Sequence, residues 1–336
     1  MKKTSLIILM ILVLSLSCTF FACQNKETVQ KEYTIVSPDG APALSLVGLI
    51  GKDYSSKTYS FSPSIVSSSL IASEAIKSDF AIVPVNLAAN LYNKGKGYLM
   101  AAVVTNGNMY IVSNTNDTDF KLESLKGKKL YTIGQGSVPA FILLSLLKKN
   151  NINYEESETI VDENTVSIQY CADGSELIQK LAQATKNGES VYGNLAEPAV
   201  SNMVNKGIGY SLSSLQTLWQ SATNSSINGF AQAVLIVKEE IYKNNKDIVD
   251  AMILELSFSA NNILDESVNI ENTIKSIYPE TTIKTMSQET ISRCNVKTYK
   301  AKDNVDYIIE TLNAVYQLNP TAVGGQVPSK DSGFYI

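Results

Sequence analysis

Short apolar strands alternate with helical segments along this chain, and at Lys129 the alternation starts again. In the first cycle, residues 33–36 read as a strand, 37–40 as a turn and 41–49 as a helix. Further strands are expected at 58–61, 80–83, 100–105 and 109–112, with helices over 67–77 and 87–92. The second cycle opens with a strand at 129–133 and a helix at 137–149. That helix is apolar nearly all round, at Phe141, Ile142, Leu143, Leu144, Leu146 and Leu147, so it belongs inside. A strand at 166–170, an amphipathic helix at 175–186, a strand at 190–192 and a helix at 197–205 follow. Residues 232–238 form a strong strand, and only helices are expected after it, at 247–264, 270–277, 288–294 and 303–318. Two βα cycles with a helical C-terminal tail predict an α/β chain of two lobes with mostly parallel sheets. The second lobe, 113–231, is inserted into the first, 33–112 and 232–336, with crossovers near 112–116 and 229–233.

The start of the chain has a different character. Lys2 and Lys3 precede an almost unbroken apolar run, and Phe20-Phe21-Ala22-Cys23 closes it before the polar Gln24-Asn25-Lys26-Glu27. A charged start, an apolar middle and a small residue before the cut make a secretory signal. Cysteine directly after the small residue makes it look like a bacterial lipoprotein signal over 1–22, with Cys23 acylated, palmitate being the expected kind of chain, and 23–32 as a tether. Cys18 is a weaker competitor for the acylated position. The apolar run falls short of the ~20 residues that a spanning helix needs. The expected location is therefore the extracytoplasmic face of the cell membrane, held by lipid.

Composition removes much chemistry. The chain contains no histidine, which excludes Ser-His-Asp and Cys-His nucleophile systems and most zinc sites. Net charge is −4 and no basic stripe is present, so nucleic acid is not an expected partner. Cys171 and Cys294 remain after processing and are expected as two separate buried thiols. A mature chain of about 313 residues exceeds one comfortable core, in keeping with two lobes.

Three loops follow strands and open helices: Pro38-Asp39-Gly40-Ala41-Pro42, Pro84-Val85-Asn86 and Gly134-Gln135-Gly136-Ser137-Val138-Pro139. In open α/β sheets, ligands bind outside the carboxyl ends of strands, and free N–H groups at a helix start attract anionic or acceptor groups. The third loop has Pro139 where a dinucleotide loop needs glycine, and it lacks the Gly-Lys-Ser/Thr of a P-loop. Ser137 can equally serve as an ordinary N-cap. Tyr170, at a strand end, is a candidate to face the cleft. Trp219, the only tryptophan, could stack on a ligand or pack in the interior. Arg293, the only arginine, could clamp an anion or form a structural salt bridge.

Pro38-Asp39-Gly40-Ala41-Pro42-Ala43-Leu44 resembles the first ligand loop of ABC-transporter substrate-binding proteins of the nitrate/sulfonate/thiamine-precursor class (periplasmic-binding-protein type 2). The stretch 79–89 is similar to the second such loop, and Leu125-Lys126-Gly127-Lys128-Lys129 with Gly134-Gln135-Gly136 to the third. Glu197-Pro198-Ala199 and the tail with Asn319-Pro320, Gly324-Gly325 and Pro328 also resemble the class, so the likeness spans 33–335. It implies a monomeric receptor that closes two lobes on a small molecule and docks on permease subunits, with no catalytic residue, cofactor or metal. By motif position it implies ligand contacts from Asp39, Gly40, Ala41, Asn86, Gln135, Gly136, Ser137 and Glu197. An enzyme on the same fold, acting on a small heterocyclic or anionic substrate, is the other expectation; the related pyrimidine-precursor synthases rely on histidine, which this chain lacks.

Cys23→Ala should abolish lipidation and release the protein from the membrane. Detergent-phase partitioning of the two forms checks this; equal partitioning would move the anchor to Cys18 or to an uncleaved helix.

Overall fold

The computed structural model describes residues 30–336, in two compact units. The charged start, the apolar run and Cys23 lie outside the described residues. The small unit consists, among these residues, of 30–32 and 53–60. In it the Gln30 amide donates to the carbonyls of Tyr54 and Tyr59 at 2.8 and 3.0 Å. The large unit, 33–52 and 61–336, holds nearly everything else.

Twelve strands are described: β1 (Lys31–Pro38), β2 (Tyr59–Val66), β3 (Phe80–Pro84), β4 (Tyr98–Thr105), β5 (Met109–Ser113), β6 (Lys129–Ile133), β7 (Asn153–Glu156), β8 (Thr165–Cys171), β9 (Tyr192–Ala196), β10 (Tyr210–Ser214), β11 (Ala233–Lys238) and β12 (Val296–Lys300). They form two six-stranded sheets, ordered β12-β4-β11-β3-β1-β2 and β10-β5-β9-β6-β8-β7. Both sheets are mixed. β1 runs parallel to β3, and β7, β8, β6 and β9 run parallel in series. β11 and β12 in the first sheet, and β5 and β10 in the second, pair antiparallel. The antiparallel pairs arise where the chain has just crossed between sheets, or lie next to such a strand. A strand entering from the other sheet has no crossover helix to turn it parallel.

The strands that the sequence marks clearly are central ones. All eight residues of β4 are buried, as a strand covered on both faces requires. The strands it does not mark, β7, β10 and β12, are all at sheet edges. Asn-Tyr-Glu-Glu, Tyr-Ser-Leu-Ser-Ser and Val-Lys-Thr-Tyr-Lys are polar because edge strands keep one side in water. β12 is also the strand that interrupts the helical tail. The segment 109–112, grouped above with the first lobe, pairs in the second sheet with β9 and β10. The chain therefore crosses at Asn106–Asn108, before β5, and returns at Phe230–Gln232.

These crossings are buried and polar. Asn106 is 1 % exposed, and every polar group it carries is engaged. Its N–H donates to Asn295 O at 3.1 Å, and its carbonyl accepts from Asn295 Nδ2 at 2.8 Å and from Phe230 N at 3.2 Å. Its side-chain amide donates to Lys297 O at 2.9 Å and accepts from the Tyr307 hydroxyl at 3.0 Å. Asn108 and Glu197 pair reciprocally, Glu197 N to Asn108 O and Asn108 Nδ2 to Glu197 O, both at 2.9 Å. Crossing strands are thereby tied by side chains where no ladder exists.

A single apolar cluster runs through the crossings and joins residues of both sheets, including Met100, Ile111, Leu130, Leu146, Trp219, Phe230 and Val315. A second cluster, with Leu177, Leu181, Leu195 and Met203, fills the far face of the second sheet. Helix Val305–Leu318 packs on Val85–Asn93 and also on Val138–Lys149, the buried helix expected from sequence. The segment after it folds back over helix Val85–Asn93. Asn90 and Asn93 donate to Thr321, Val323 and Gln326 carbonyls at 3.0, 2.7 and 2.7 Å, and the Tyr92 hydroxyl donates to Ser332 O. Met100 N then donates to Phe334 O at 2.8 Å. Cys171 and Cys294 are both free and buried. Burial pushes their thiols up to about 11 and about 12, so both stay protonated at neutral pH.

Gly229 sits at φ +128°, and a Cβ there would lie 1.8 Å from Asn106 O. Gly229→Ala should cost about 3 kcal/mol through strain and the loss of room at the crossing. Urea unfolding checks this, with Gly188→Ala as the comparison, since a Cβ at Gly188 meets nothing within 4 Å.

Candidate functional site

Four strands of the two sheets end around one cavity of about 470 Å³. The loops after β1, β3, β6 and β9 supply its rim, and the start of β11 supplies its floor. The volume suits a small molecule. The three loops picked out by sequence all reach it, and Asp39, Gly40, Ala41, Asn86, Gln135, Gly136, Ser137 and Glu197 line it together. Tyr170 and Trp219 do not. Trp219 is 1 % exposed inside helix Leu215–Thr223, with the Lys149 ammonium 5.8 Å from its ring centre. Tyr170, half-buried on β8, packs against the main apolar cluster, and burial raises its phenol above the ordinary range.

The helices that open on the cavity start without a side-chain cap. Pro84 precedes Val85–Asn93 and Ser137 precedes Val138–Lys149, and neither N-cap forms a capping hydrogen bond. Asp173, Ser214, Asn269 and Ser287 do cap helices elsewhere. Val85 N donates to Gln232 O at 3.0 Å, so the first turn of Val138–Lys149 is the one that keeps N–H groups for a bound acceptor. In the third loop Gly134 and Gly136 both lie at positive φ, and Ser137 N closes the turn on Gly134 O at 2.8 Å.

The two carboxylates of the wall are both engaged. Asp39 accepts from Thr281 Oγ1 at 2.6 Å, and from Thr282 N and Oγ1 at 2.8 and 2.7 Å. It pins the loop after β1 to the helical tail, using neutral donors only. Glu197 is 2 % exposed and forms an ion pair with Arg293 Nε at 2.5 Å. Ser201 adds a backbone and a hydroxyl donor to it, each at 3.0 Å. Arg293 also donates to Ser211 Oγ at 3.0 Å and stacks over the Tyr110 ring at 4.1 Å. The lone arginine therefore holds Glu197 and the second sheet rather than lining the cavity. Burial pushes the Tyr110 phenol up to about 12, against the pull of the Arg293 charge, so it remains a donor to Arg293 O.

Sequence reasoning did not find Asn108 and Gln232, which also line the cavity. Each is a polar residue set beside a long apolar strand, Asn108 just before Met109 and Gln232 between Ala231 and Ala233. That placement is the one signal by which they could have been found. Apolar wall comes from Ile71, Leu87, Met109, Ile133 and Val138.

Two mixed α/β sheets, crossed twice by the chain and sharing a cavity at their strand ends, define the periplasmic-binding-protein fold. No family model and no curated protein sequence matches the chain. Among solved structures it is similar to an ABC transporter protein from Parabacteroides distasonis, at TM-score 0.69 and 21 % identity over 91 % of this chain and 99 % of that one. It is similar to the periplasmic aliphatic sulphonate binding protein SsuA from Escherichia coli, at TM-score 0.61 and 13 % identity over 91 % and 92 %. A Candida albicans protein described as having the generic periplasmic binding protein fold matches at TM-score 0.52 and 12 % identity over 90 % and 93 %. These likenesses carry the fold.

Removing Arg293 leaves the Glu197 carboxylate buried without its cation. Arg293→Ala should destabilise the protein by about 3 kcal/mol, and Arg293→Lys by clearly less, because the charge is kept and only the planar stack on Tyr110 and the hydrogen bond to Ser211 are lost. Chemical denaturation of both variants checks the order.

Proposed function

We propose that this chain is the extracytoplasmic solute receptor of an ABC importer, anchored by lipid at Cys23, and not an enzyme. It binds a small molecule between two lobes and presents the closed form to permease subunits. The observation that carries this reading is the cavity itself, built by both sheets at their strand ends and flanked by the two crossings. A ligand touching the loops of both sheets stabilises the state in which they approach, since it can shift an equilibrium only by its differential contacts. Solved proteins of similar architecture include an ABC transporter protein and a sulphonate-binding protein, in support. No helix among the described residues is long and apolar enough to cross a membrane, and the reading places the anchor at the acylated cysteine. The enzyme reading has less support. Both carboxylates at the cavity are held by structural partners.

Native mass spectrometry of the protein purified gently from its own host should show one bound molecule, of a few hundred daltons at most for a cavity of this size. Small-angle scattering should give a larger radius of gyration once that molecule is removed by unfolding and refolding. No excess mass, together with one radius for both preparations, would overturn the receptor reading.

A further inference from the structure

Hydrogen bonding around the cavity fixes which way its amides point, and that names the chemistry of what they receive. A carbonyl oxygen can only accept. The Asn108 Nδ2 group therefore faces Glu197 O, at 2.9 Å. Its Oδ1 then accepts from Gln232 Nε2 at 3.2 Å. Gln232 Oε1 is left over, buried and with no partner. The same logic holds on the other wall. Asn86 Nδ2 is turned toward Ala322 O at 3.5 Å, which leaves Asn86 Oδ1 buried and unpartnered. Both residues line the cavity.

Two fixed acceptors without donors are costly to bury unless something supplies donors. The charges nearby have the same sign. The ionisable residues of the wall are Asp39 and Glu197; Arg293 balances Glu197, whereas Asp39 is held by neutral donors. No lysine or arginine is among the residues lining the cavity. A net anion on this floor would meet two carbonyl oxygens and a carboxylate.

Resting on the receptor reading, we infer that the ligand carries N–H donors and no net negative charge. The donors sit on Asn86 Oδ1 and Gln232 Oε1. An acceptor atom on the opposite side of the molecule meets the first-turn N–H groups of helix Val138–Lys149, which has no side-chain cap. An amide, an amino-heterocycle or a zwitterion has this pattern; a simple sulfonate or carboxylate does not.

Matched probes separate the two. Nicotinamide differs from nicotinate, and taurine from ethanesulfonate, by an N–H group and a net charge. Thermal unfolding of the wild-type protein with each probe at millimolar concentration should show a higher Tm with nicotinamide, taurine or both, and none with either anion. Gln232→Leu, checked by circular dichroism for a retained fold, should weaken the responding probe at least tenfold in titration calorimetry. An anion that stabilises as well as its N–H partner overturns the inference. So does silence from all four probes, or an unchanged affinity in folded Gln232→Leu. A bound molecule seen by native mass spectrometry in any of those cases keeps the receptor reading, so the two stand or fall separately.

Discussion

Asparagine side chains at the crossings are the constraint on which this structure depends. A chain that leaves one sheet for another loses its ladder partners at the crossing, and here that point is buried. Each backbone group left unpaired would cost about 1–3 kcal/mol. Asn106 answers with hydrogen bonds to four residues in three segments, Phe230, Asn295, Lys297 and Tyr307, and Asn108 with a reciprocal pair to Glu197. Gly107 and Gly229 leave room for this, because a side chain at either would strike Phe230 or Asn106. The crossing is thus a fully hydrogen-bonded joint through which the chain passes between the sheets.

The site inherits its precision from that joint. Asn108 belongs to the crossing and to the cavity at once, and by accepting from Gln232 Nε2 it leaves Gln232 Oε1 buried and without a partner. Glu197 likewise lines the cavity, while its carboxylate locks Arg293 onto Tyr110. Residues that line the cavity and residues that tie the crossing are here the same residues.

Much of this could be read before the structure. The central strands and the buried helix Val138–Lys149 announce themselves by continuous apolar runs, and the loops around Asp39, Asn86 and Gly136 announce themselves by following those strands. Edge strands β7, β10 and β12 could not be read, because half-wet strands carry no apolar run. Trp219 could be read either as a ligand platform or as an interior ring, and a large ring in an amphipathic helix gains more by burial. Asp39 and Glu197 looked like ligand groups, and they do stand at the cavity. Their partners Thr281, Thr282 and Arg293 are far away in sequence, and spacing says nothing about pairs so distant.

The strand order of the first sheet also bears on how the chain comes into being. β3 and β4 are near neighbours in sequence, but β11 lies between them, and β12 covers the other side of β4. Phe334 and Ile336 then pair with Met100 beside them. During synthesis β4 has no neighbour in its own sheet until residues beyond 232 exist, and the sheet is not closed before residue 300. Such distant pairing delays folding. In a nascent chain of this order the second sheet, whose strands all lie between Met109 and Ser214, is complete while the first still waits for the last third of the chain.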